Sequence, residues 1–155
     1  MLSQLEILSV RVGPYIVGMN LREVREVSRF TALHPLPKVP PFVLGMVNLR
    51  GEIWTLLDMK RILLKEPSSV RSGEDKLLVT RYPSKRVAFL VEEILDILEL
   101  GAGELKPLRK EGPGRETFLG EIYYRNRILP VLNLGGLISQ DMENLAKIPF
   151  QDFLE

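Results

Sequence analysis

Cysteine is absent from this chain of 155 residues, which removes disulfides, thiol catalysis and thiolate metal sites together and fits a reducing, cytoplasmic setting. Histidine occurs once, as His34, so a histidine metal cluster or a Ser-His-Asp triad has little material. His34 lies in a proline-rich crossing, where packing or simple exposure explains it. No charge of one sign prevails: 21 Lys+Arg stand against 20 Asp+Glu, for a net charge of +1. Phosphate-driven nucleic-acid binding needs a concentrated basic face, and none is expected here. No apolar run approaches the roughly 20 residues that span a bilayer, and the start lacks the basic region and apolar core of a signal peptide. Direct membrane insertion is therefore not expected. Gly101-Ala102-Gly103 lacks the Lys and Ser/Thr that would follow in a phosphate loop. The expectation is no catalytic residue, no cofactor and no metal.

What is present is ordinary globular material. Hydrophobic residues make up 45% and charged residues 26%, which suits one domain or two small subdomains that share a core. Alternation and β-branched residues predict strands over residues 5–12, 15–19, 24–27, 76–80, 86–91, 92–98, 120–124 and 128–132. Gly13-Pro14, Pro83-Ser84 and Arg125-Asn126-Arg127 supply turns between them. Asn20 is an acceptable cap for a helical turn or bulge over 21–23, and Asp58 for a short helix over 59–64. Residues 31–41 carry four prolines and should cross in extended form. Residues 66–75 and 105–117 read as loops, and Leu134-Gly135-Gly136 as a break in the pattern. Residues 141–147 read as a short helix ahead of a tail. The tail's Leu145, Ile148, Phe150 and Phe153 either fold back on the domain or dock elsewhere, and folding back is the plainer reading.

The stretch that organises the chain is Leu44-Gly45-Met46-Val47-Asn48-Leu49-Arg50-Gly51-Glu52-Ile53-Trp54-Thr55-Leu56-Leu57-Asp58. Gly51 stands between two β-type runs, where a tight turn or a bulge needs either positive φ or close backbone approach, and this leaves Arg50 at a strand end. Trp54 reads as core or as a rim anchor. The same stretch aligns without gaps on residues 119–133, with Leu, Gly, Arg and Ile recurring in place, and residues 17–27 align similarly on 87–97. Two blocks in the same order predict a duplicated unit. Each half then carries about five short strands, which suits a small barrel because closure removes exposed edges.

Read with its repeat, this stretch resembles the CheW family of chemotaxis coupling proteins. The residues that carry the resemblance are Glu23-Val24-Arg25-Glu26-Val27, the crossing Leu36-Pro37-Lys38-Val39-Pro40, and Gly45 with Asn48-Leu49-Arg50-Gly51, supported by Arg127-Ile128-Leu129-Pro130-Val131-Leu132. The resemblance covers residues 4–138. It implies an all-β chain with short helices, folded as two SH3-like five-stranded β-barrels around a shared hydrophobic core. The ranges expected are 15–65 and 76–133, with the strand over 4–12 in either barrel and a C-terminal helix or tail over 139–155. It also implies a non-catalytic adaptor that bridges the cytoplasmic tip of a methyl-accepting chemoreceptor to the regulatory domain of the histidine kinase CheA, in receptor arrays at the inner membrane face. A parallel motility or developmental pathway is the alternative. Carried over by position, the expected partner-binding residues are Val24, Glu26, Val27, Gly45, Asn48, Leu49, Arg50 and Gly51. One departure is Thr55, where the family commonly has a proline; Pro130 holds the matching place in the second half.

Overall fold

The computed structural model describes residues 4–30, 32–68, 73–82, 85–101 and 103–155. The expected turn at Pro83-Ser84, the centre of the expected loop over 66–75, Thr31 and Ala102 lie outside these residues. Among the described residues there are ten strands: β1 (Leu5–Val12), β2 (Tyr15–Asn20), β3 (Val24–Arg29), β4 (Val43–Leu49), β5 (Glu52–Asp58), β6 (Lys76–Thr80), β7 (Val87–Val91), β8 (Glu93–Leu100), β9 (Phe118–Tyr124) and β10 (Arg127–Leu132). Four short helices join them: α1 (Met59–Leu64), α2 (Leu134–Ile138), α3 (Met142–Lys147) and α4 (Gln151–Leu154). Asn20 accepts from the Arg22 amide at the start of a 3-10 turn, and Asp58 accepts from the Arg61 amide at the start of α1, as their positions predict.

The break expected at Leu134-Gly135-Gly136 is a helix instead. Asn133 caps α2 by accepting from the Gly136 amide, as Asp58 caps α1. The two glycines hide it from propensity, but Gly135 is needed there: a β-carbon would collide with the Tyr82 hydroxyl.

The strands form two five-stranded sheets, ordered β8-β1-β2-β10-β9 and β3-β6-β7-β5-β4. If each strand of the first half is matched to its counterpart five strands later, one order becomes the other. The sheets are thus related as the sequence repeat predicts, yet they do not follow the expected contiguous ranges 15–65 and 76–133. Each sheet takes the opening hairpin of one half and the last three strands of the other, so the strand over 4–12 pairs with β2 and β8. Parallel pairs β2–β10 and β5–β7 seal the exchange across long connections. Thr55 matters here. Its amide donates to the Arg86 carbonyl at 2.8 Å and lengthens the β5–β7 ladder, a bond that Pro130 cannot make against β2.

Alternation distributes the core. Leu8, Val10 and Val12 of β1 face a large cluster between the sheets with Phe89, Leu132, Phe118 and α1, whereas Ile7 faces a small cluster with Ile122, Leu129 and Val131. In the other sheet Trp54, Leu56, Leu77, Val79 and Leu90 make the matching small cluster. The tail folds back and is not an exposed extension. Phe150 and Phe153 reach the Phe118 ring at 6.4 and 5.1 Å between centroids, and Leu145, Ile148, Phe150 and Phe153 are buried. Among the described residues no helix is long and apolar enough to cross a membrane.

Candidate functional site

Strands β4 and β5 meet at a two-residue turn, with Leu49 opposite Glu52. Arg50 and Gly51 both have positive φ, 53° and 84°, the geometry that matches the right-handed twist of a hairpin. Asn48 supports the turn by accepting from the Gly51 amide at 2.9 Å. Glycine is at ease at 51, where nothing lies near a would-be β-carbon. Arginine at 50 pays a conformational cost of about 1 kcal/mol that Asn or Gly would largely avoid.

That cost is offset by what the side chain reaches. The guanidinium donates from Nη1 and Nη2 to the two carboxylate oxygens of Glu26, at 2.9 and 2.8 Å, a parallel two-bond arrangement that only arginine can make. Glu26 lies on edge strand β3 and Arg50 at the tip of the hairpin that begins with edge strand β4, so the pair links the two ends of one sheet. Glu26 also accepts from the Ser28 hydroxyl at 3.2 Å. Its side chain is 19% exposed, against 74% for Arg50. The second sheet repeats the device: Arg125 lies 3.5 Å from Asp96, and Tyr124 donates its hydroxyl proton to the same carboxylate, joining β9 to β8. That hydrogen bond, ahead of burial, pushes the Tyr124 hydroxyl above its ordinary value.

The expected partner-binding residues separate by place. Val24 is buried at 5% exposure in the shared core, so its side chain is not at the surface. A bulge at Arg25, between the pairs Val24–Thr80 and Glu26–Val79, resets the face of β3 after it. Val27 is 43% exposed. Gly45, with φ at 149°, passes so close to the His34 carbonyl that any β-carbon would collide with it, and Gly120 meets the Lys106 carbonyl in the same way. Asn48 and Gly51 shape the turn, and Leu49 packs half-buried on the Trp54 cluster.

Sequence reasoning missed a neighbouring network. Glu52 is shared by Arg25, at 3.4 Å, and Arg86, at 3.6 Å, and the Arg25 guanidinium lies 5.7 Å from the centre of the Trp54 ring. Trp54 is core, 1% exposed, and not a rim anchor. Beside it Ile53 is 46% exposed. The Trp-Arg contact had no local signal, because Arg25 and Trp54 lie on β3 and β5, which are not neighbours in sequence or sheet. Arg86 had none, because it arrives from the other half of the chain.

A third fixed point lies where β3 begins, against α2. Glu23, just before β3, accepts from the Gly135 amide at 2.8 Å, the Leu134 amide at 3.3 Å and the Tyr82 hydroxyl. Burial first, then the hydrogen bond and the charge of Glu23, push the Tyr82 hydroxyl up to about 12. Val27 and Ile53 are exposed, and Arg50 is fixed by Glu26.

The chain resembles known proteins along most of its length. A family model described as a CheW-like domain matches residues 6–142. The chain is 33% identical to the chemotaxis protein CheW of Rhizobium meliloti over 103 residues, 66% of this chain and 65% of that relative. It is 25% identical over 143 residues to a probable chemotaxis protein CheW of Rhizobium etli, spanning 91% of this chain and 92% of the relative. Protein FrzA of Myxococcus xanthus is 31% identical over 103 residues, 66% of this chain and 63% of FrzA. Among solved structures, a scaffolding protein CheW from Thermoanaerobacter tengcongensis superposes with a TM-score of 0.73 at 14% identity, covering 96% of this chain and 91% of that one, a likeness of fold.

Proposed function

The chain belongs to the CheW-like domain family, and from that premise we propose that it is a non-catalytic adaptor that couples chemoreceptors to the histidine kinase CheA. Its partners in this reading are the receptor's cytoplasmic tip and the regulatory domain of the kinase, and its place is the cytoplasmic face of a receptor array. The observation that supports the reading best is the family match over residues 6–142. The first-half hairpin adds to it, since the Arg50–Glu26 pair holds the Asn48-Leu49-Arg50-Gly51 turn against β3, and Val27 and Ile53 are exposed.

Within the proposal the carried-over residues take different parts. Val27 and Arg50 touch a partner directly. Glu26, Asn48 and Gly51 hold Arg50 in place, Gly45 holds the crossing segment against β4, and Val24 and Leu49 support the surface from below. The similarity to FrzA supports a second reading, an adaptor of the same kind in a parallel chemosensory pathway.

The experiment is a binding titration of the purified chain against a kinase regulatory domain and a receptor tip from the same source. A micromolar dissociation constant, about 8 kcal/mol, is expected for at least one. A folded chain that binds neither overturns the proposal.

A further inference from the structure

The two halves repeat their clasps but not the charges around them. In the first sheet the residue that follows the hairpin turn is Glu52, and two cations, Arg25 and Arg86, converge on it. The matching position in the second sheet is Arg127, which pairs with Tyr124 across the turn as Glu52 pairs with Leu49. The residues that match Arg25 and Arg86 are Leu95 and Ile16, as the registers of β8 and β2 show. The acid between two bases has become a base between two apolar side chains.

A cavity of about 520 Å³ lies at the junction of β8, the β1–β2 turn and the β9–β10 turn, lined by Ile16, Ile94 and Leu95, by arginines 11, 125 and 127 and by the carboxylates Glu93 and Asp96. Arg11 has its counter-charge in Glu93 at 3.0 Å, and Arg125 has Asp96 at 3.5 Å. Among the described residues Arg127 has no ion pair and no side-chain hydrogen bond. Among the described residues the lining therefore carries one positive charge without a paired acid, beside the aliphatic side chains of Ile16, Ile94 and Leu95, with Tyr123 72% exposed on the adjoining strand. A carboxylate delivered from outside would restore the balance that Glu52 supplies internally in the first sheet, and an apolar neighbour would cover Ile16 and Leu95.

We propose that this second-half cavity is a docking site for an acidic protein segment, in which a Glu or Asp carboxylate pairs with Arg127 and an adjacent apolar side chain lies against Ile16 and Leu95. The site is separate from the Arg50 hairpin and does not depend on which partners that hairpin meets. It gives the adaptor a further contact whose specificity lies in charge, so nearby acidic residues on the docked segment are favoured and basic ones repelled.

The test uses the full chain and a fluorescein-labelled hexapeptide of alternating Leu and Glu, with the same peptide carrying Gln for Glu as its control, read by fluorescence anisotropy at low salt. The acidic peptide is expected to bind, the Gln peptide to bind at least about threefold more weakly, and Arg127→Gln to lose about three- to fivefold, the scale of one partly exposed ion pair. Arg127→Glu should reverse the preference toward a Leu/Lys peptide, while Lys147→Gln, on distant α3, should change nothing. No binding of the acidic peptide up to about 2 mM, about 3.7 kcal/mol, overturns the proposal. Equal binding of both peptides, or indifference to Arg127→Gln in a variant with an unchanged melting temperature, overturns it as well. Because no kinase or receptor is used, failure here is distinguishable from failure of the coupling function.

Discussion

Arg50 grips Glu26 with two parallel hydrogen bonds of 2.9 and 2.8 Å, and by doing so joins the two ends of a five-stranded sheet through side chains. Arg125 and Asp96 stand in the same relation in the second sheet, at 3.5 Å and with one contact. The first pair is the tighter clasp, and it holds the hairpin on which partner binding is proposed.

Arg50→Ala should therefore lower stability by no more than about 1 kcal/mol, since Arg50 is largely exposed and the pair is screened, or about 2–4 °C in melting temperature. Partner affinity should fall much further. A double-mutant cycle with Glu26→Gln checks this: coupling of the two residues in kinase binding should exceed their coupling in thermal stability.

Gly45 and Gly120 offer a test of the internal repeat. Alanine at either position sets a β-carbon against a backbone carbonyl, of His34 or Lys106, at a φ that L residues rarely adopt. Each substitution should cost about 3 kcal/mol through strain and overpacking, and chemical denaturation should show similar losses for both. A small loss at only one of them would show that the crossing segments are not equivalent.

Tyr82 should make stability fall in alkali. Its hydroxyl is held at about 12 in the folded chain against an ordinary 10.0, so the folded state keeps its proton longer than the unfolded state. The contribution is whole below pH 10 and is lost as the pH rises toward 12. Denaturation midpoints measured across that window should decline for the native chain, and Tyr82→Phe should flatten part of the slope. Ultraviolet titration of tyrosinate should show a hydroxyl titrating near 12 that is lost in Tyr82→Phe.

The tail is part of the core and not an appendage. Phe150 is fully buried against Phe118, and Lys65 spans from α1 to the Leu145 carbonyl at 3.0 Å while its ammonium lies 5.1 Å from the centre of the Phe150 ring. Burial lowers the Lys65 pKa from its ordinary value. Phe150→Ala should cost about 3–5 kcal/mol, read as a fall in the denaturation midpoint. An unchanged midpoint would mean that the tail leaves the core in solution.

The strands, the caps at Asn20 and Asp58 and the turn at Arg50-Gly51 were legible because each is decided by residues within a few positions of one another. Alternation places Ile7 and Leu8 on opposite faces wherever β1 is put, and a tight turn demands positive φ whatever it joins. The duplication was legible for the same reason, since like local patterns recur. What the sequence by itself determined was thus a β-rich repeat with a distinctive Asn-Leu-Arg-Gly turn. Only the tertiary structure decided that the halves exchange hairpins, that Val24 is core and that α2 forms behind Asn133. It also decided which charges meet: Arg50 with Glu26 and Arg86 with Glu52, while among the described residues Arg127 has no ion pair. The reason is physical. Strand pairing between distant segments is chosen by the total burial and closure of the whole chain, and no short stretch of residues carries that choice.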